Sequence, residues 1–87
     1  MQGYIHSSRK SDSVGFITCC SGSCLADFWQ FSFDDCDSDL EDKLREKDVT
    51  GIPKGACSPT IPPSAIRVSF TSKISGNEMV ADNVIEI

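Results

Sequence analysis

The chain has 87 residues, 39% of them apolar, and a formal net charge of −5. That length forms one domain, 1–87, with a single modest core. No apolar run approaches the roughly 20 residues of a membrane-spanning helix, and the polar first residues lack the apolar stretch of a secretory leader, so a cytoplasmic protein away from membranes is expected.

Gly3 to His6 reads as a short strand. Residues 7–13 are Ser-rich and charged and read as a loop, which leaves 1–13 as a partly flexible N-terminus. Val14 to Cys20 is β-branched and aromatic without a helical period, and reads as a strand. Ser21-Gly22-Ser23 suits a hairpin turn. The chain returns from Cys24 to Phe33. Leu25, Asp27, Trp29, Phe31 and Phe33 share one face, and Cys24, Ala26, Phe28, Gln30 and Ser32 the other.

Helix signals follow. Ser38 with Glu41 three residues on reads as a capping box. Asp39, Glu41 and Asp42 complement the positive end of the helix dipole, and Lys47 the negative end. Asp39–Lys43 and Glu41–Arg45 are i,i+4 pairs, and Leu40 and Leu44 form one narrow apolar stripe. The predicted helix ends near Asp48. Residues 50–64 contain all four Pro and read as a long loop.

Ile66, Val68 and Phe70 alternate with Arg67, Ser69 and Thr71, a strand pattern. Ser75-Gly76-Asn77 is a second turn. Val80 to Ile87 gives the last strand, with Val80, Asp82, Val84 and Glu86 facing one way and Ala81, Asn83, Ile85 and Ile87 the other. The expected fold class is α+β: an antiparallel sheet of four to five strands in two hairpins with one short helix on a face, in the order (β)ββ-α-loop-ββ.

The charge is not spread evenly. Asp34, Asp35, Asp37, Asp39, Glu41 and Asp42 fall within nine residues that contain no base. Such a field attracts a basic protein or a cation and repels nucleic acid. Trp29, Phe31 and Phe33 lie just upstream, and an aromatic beside an acidic rim has the composition of a hot spot. The predicted contact set is Trp29, Asp34, Asp35, Asp37, Asp39, Glu41 and Asp42.

Other chemistry fits less well. Asp35, Asp37, Asp39 and Glu46 match the acidic positions of an EF-hand loop, but Leu40 stands where that loop needs Gly. Cys19, Cys20 and Cys24, with His6, lack the spaced pairs of a zinc site, and adjacent strand residues point to opposite faces. With no phosphate loop and no spacing that supports a triad through His6, neither catalysis nor a metal or other cofactor is expected.

In its profile, Asp34 to Asp48 together with Phe28 to Phe33, the chain resembles the small acidic immunity proteins of bacterial nuclease toxins, of the contact-dependent growth inhibition and colicin kinds. The resemblance implies a noncatalytic inhibitor that occludes the basic active site of a nuclease toxin domain. The alternative is a metal-binding or redox-responsive module built on the Cys set or the Asp cluster.

Overall fold

The computed structural model describes residues 1–18, 28–50 and 64–87. The predicted turn at Ser21–Ser23, Cys19, Cys20, Cys24 and Cys57, and nearly all of the 50–64 loop lie outside them.

Among the described residues, five strands and one helix follow the expected chain order: β1 (Gln2–Arg9), β2 (Val14–Thr18), β3 (Phe28–Ser32), α1 (Ser38–Glu46), β4 (Arg67–Ser75) and β5 (Glu78–Glu86). Their arrangement departs from the expected open sheet. The strands close into a barrel in the order β1-β2-β3-β5-β4, with β4 returning to β1. β3 runs parallel to β5, so the sheet is not wholly antiparallel.

Two one-residue insertions let the sheet curve shut. On β1, Ile5 pairs with Ile17 and Ser7 with Phe16, which leaves His6 as an extra residue. On β5, Ile85 pairs with Ser69 and Asp82 with Thr71, so Asn83 and Val84 together oppose Phe70. Asn83 has a φ of 51°, the left-handed conformation that suits such a bulge. Each insertion switches the inward face. Ile5 and Ser8 are both buried, as are Ala81 and Val84. Neither of the two faces expected for the last strand survives intact.

Barrel closure also explains β1. Its first residues pair with both neighbours, Tyr4 with Thr18 on one side and Arg67 on the other. Residues 7–9, expected as loop, continue the strand because β2 satisfies their backbone. Ser8 is buried and exchanges backbone hydrogen bonds with Val49, at 3.0 and 3.2 Å. Gly3 is required here: a Cβ would lie 2.5 Å from the Thr18 carbonyl oxygen.

The core is Ile5, Ile17, Trp29, Phe31, Phe33, Leu40, Leu44, Val68, Phe70, Ala81 and Val84. Trp29, predicted as a partner contact, has no exposed surface. It points into the barrel, where its ring tilts against Phe70 and its indole N–H donates to Ser72 Oγ at 2.9 Å. Inward alternation along β3 buries Trp29 and Phe31 together, so neither can serve as an exposed hot spot.

α1 covers one end of the barrel instead of lying on a sheet face. Leu40 and Leu44 enter the core, Lys43 reaches Glu86 at the end of β5, and Arg45 reaches Ser13 in the β1–β2 turn. The helix begins one residue earlier than a Ser38 cap would place it. Asp37 is the N-cap, with its carbonyl accepting from the Glu41 N–H and its side chain making no cap bond. The predicted capping box does not form, because Glu41 turns to Arg45. The helix stops at Glu46, short of the predicted Asp48.

Candidate functional site

The barrel end under α1 gathers the acidic residues. Phe33-Asp34-Asp35 makes a 3-10 turn off β3, held by the Asp34 N–H donating to Ser32 Oγ at 3.3 Å. Cys36 and Asp37 then run beside β5, with the Asp37 N–H donating to the Val84 carbonyl at 2.8 Å. This places Asp34, Asp35 and Asp37 with Asp82 around one open groove of about 320 Å³. Asp39 and Asp42 lie exposed on the helix.

The bases of the helix do not neutralise this end. Arg45 pairs with Glu41 at 2.8 Å, and Lys43 goes to Glu86, not to the expected Asp39. Lys73 takes Asp82, at 3.6 Å. Among the described residues, Asp34, Asp35, Asp37, Asp39 and Asp42 are therefore left without an ion pair. Self-repulsion of this kind is a cost that folding alone does not return.

Cys36 sits in the same groove. Burial first, then the charges of Asp35, Glu41 and Asp37, push its thiol up to about 12. A thiol so raised is a poor nucleophile and a poor metal ligand. Among the described residues, no group of His, Cys, Asp and Glu is arranged to hold a metal ion. Asp35, Asp37, Asp39 and Glu46 are split between a 3-10 turn, a cap and a helix, and form no EF-hand loop.

A second site was not anticipated by the charge pattern. On the outer face of β1, β2 and β3, the Phe16 and Phe28 rings stack with centroids 5.0 Å apart and planes 16° from parallel. His6 meets Phe28 edge-on at 4.9 Å. His6, the inserted residue of the β1 bulge, is half-buried, as are Phe16 and Phe28. Beside Phe16 a cleft of about 410 Å³ is walled by Ser7, Arg9, Asp12 and Gln30 and floored by Val14 and Phe16. The sequence carries the signal: Phe28 and Gln30 lie on the strand face opposite Trp29, and Phe16 alternates outward beside them. What was missing was the pairing Phe16↔Gln30 and Thr18↔Phe28, which brings the two rings into stacking contact.

The β1–β2 turn that bounds the cleft is held in an uncommon conformation. Ser13 has a φ of 54°. Its carbonyl accepts from the Phe33 N–H at 2.9 Å, and its hydroxyl accepts from Arg45 Nη1 at 3.1 Å. Arg9 and Lys10, on either side of the strand end, are exposed and their side chains make no ion pair among the described residues, while the Lys10 backbone N–H donates to Asp48 Oδ1 at 2.9 Å.

No family model, curated protein or solved structure matches the chain. Among the described residues, no helix is long and apolar enough to cross a membrane.

Proposed function

We propose that the protein is a noncatalytic binding barrel that takes unpaired nucleobases of a single strand on the outer face of β1–β3. The observation that carries this reading is the stacked Phe16–Phe28 pair, with His6 at its edge. A base can extend a column of stacked rings from its outer face, a contact worth about 1–3 kcal/mol per base. The barrel supports the reading as an analogy. A closed order β1-β2-β3-β5-β4 with a helix between β3 and β4 is that of the OB barrel, whose β2–β3 face and β1–β2 loop bind oligonucleotides and oligosaccharides.

The net charge of −5 argues against nucleic acid when it is averaged over the chain. Its excess lies at the helix end, however, while Arg9 lines the cleft without an ion pair among the described residues. Affinity on this reading comes from stacking more than from phosphate contacts, so its salt dependence is shallow. Anisotropy of a labelled single-stranded 12-mer tests it. Saturable binding is expected, with Phe16→Ala and Phe28→Ala each weakening it by roughly fivefold to a hundredfold. Binding that ignores both substitutions removes the face from consideration.

The acidic end supports a second reading at a different place. Its five carboxylates without an ion pair among the described residues suit a basic partner protein, and a cytoplasmic inhibitor of a nuclease toxin is the specific form that the immunity-protein profile suggests. Trp29 drops out of that contact set, and the acids alone would carry the encounter. Reversing Asp35, Asp37 and Asp39 should slow association with such a partner and flatten its salt dependence. An association rate untouched by these changes rules the acidic end out.

A further inference from the structure

Gln30 is the residue on the outer face whose chemistry stacking leaves unused. It lies directly opposite Phe16 on the neighbouring strand, so its side chain stands beside the Phe16 ring. It is exposed, it lines the cleft, and its amide has no hydrogen-bond partner among the described residues. A primary amide presents one acceptor and two donors in a plane. A base stacked on Phe16 brings its own edge of donors and acceptors to that amide.

The charges around Gln30 fix where the rest of the nucleotide can go. Asp12 lines the same cleft, and Asp35 and Glu78 line the adjoining groove on the β3–β5 seam. All three repel phosphate. Arg9 is the one cation lining the cleft, and it has no ion pair among the described residues. Charge complementarity therefore puts the phosphate at Arg9 and turns the base toward Gln30.

We propose that the Ser7–Gln30 cleft holds a single nucleotide, with its base on Phe16, its phosphate at Arg9 and its edge read by Gln30. A glutamine amide pairs in bidentate fashion with adenine N6 and N7 and, in a single strand, with the N3–H and O4 of thymine as well. This rests on the stacking face proposed above, and it adds a base-contacting residue to it.

Binding of fluorescent oligo-dA and oligo-dT 12-mers to the whole chain, read by anisotropy, tests the proposal. Gln30→Ala, an exposed substitution, should weaken both strands by at least about fivefold, the lower end of what one bidentate contact supplies. Phe16→Ala should weaken both strands alike, and Arg9→Gln should flatten the salt dependence of both. Affinities for both strands that do not change on Gln30→Ala overturn the role of Gln30 and leave the stacking face standing. Failure to bind either strand overturns both.

Discussion

The Trp29 indole N–H reaches across the barrel from β3 to Ser72 Oγ on β4, at 2.9 Å. Trp29 is fully buried, so this hydroxyl is what satisfies its one polar atom. Ser72→Ala should strand the donor and cost about 1–3 kcal/mol in urea unfolding. Trp29→Phe removes the donor along with the bicyclic ring, so adding Ser72→Ala to it should cost little more. Equal costs of Ser72→Ala in both backgrounds would mean that the hydrogen bond contributes nothing.

Arg45 ties the helix to the barrel by three contacts. It pairs with Glu41, donates to Ser13 Oγ and lies over the Phe33 ring, 5.3 Å from its centroid. The ion pair alone is exposed and is worth only a few tenths of a kcal/mol. Arg45→Ala should therefore cost distinctly more than Glu41→Ala, by about 1 kcal/mol, since it also removes the cation–π contact and the support of Ser13. Thermal unfolding of the two variants decides it. Matching losses would reduce Arg45 to a surface ion pair.

Gly3 should tolerate no side chain. The nearest atoms to a Cβ there are the Thr18 carbonyl oxygen at 2.5 Å and Ile17 Cγ2 at 3.0 Å, and the first is backbone that cannot swing aside. Gly3→Ala should destabilise by about 1–3 kcal/mol, the usual cost of overpacking. The β1–β2 seam should open first, which amide exchange of Tyr4 and Thr18 would report. Exchange unchanged at these amides would place the strain elsewhere.

Much of the local structure was legible. Ile17, Trp29, Phe31, Val68 and Phe70 alternate inward as their strands require, and the Leu40–Leu44 stripe and Glu41–Arg45 pair mark the helix. What was not legible depends on non-local pairing. His6 and Asn83 look like ordinary strand residues. Only the partners show them to be insertions, and each reverses the inside–outside pattern beyond it. Ser7 to Arg9 is polar enough to read as loop, yet β2 makes it strand. The acidic end was visible as charge, while the aromatic face needed Phe16 and Phe28 to be neighbours across two strands.

Cys36 gives a pH prediction with a definite sign. Its thiol rises from 9.0 to about 12 in the folded chain, chiefly through burial and then through Asp35, Glu41 and Asp37. Between these values the unfolded thiol is ionised while the folded one keeps its proton. The folded state therefore loses stability as pH climbs above about 9, and nothing from this group below it. Urea midpoints should fall more steeply from pH 9 to pH 11 in the unmodified chain than in Cys36→Ala. Iodoacetamide at pH 8, followed by peptide mapping, should leave Cys36 unmodified in the native protein and label it in urea. Rapid native labelling would contradict the raised value.

The acidic end separates two kinds of carboxylate. Asp37 caps α1 and faces the positive end of its dipole, so Asp37→Asn should lower stability by about 0.3–1 kcal/mol at low ionic strength. Asp34 and Asp35 stand ahead of the helix without an ion pair among the described residues, where they mainly repel their neighbours. The double change Asp34→Asn with Asp35→Asn should raise stability by a few tenths of a kcal/mol, comparable with other unfavourable like-charge contacts. The gain should fade toward 1 M salt, where screening acts within about 3 Å. A chain stabilised by losing these two acids retains them at a cost, as expected if they meet a partner. A destabilised double variant would make them structural, and would remove the main physical argument for docking at that end.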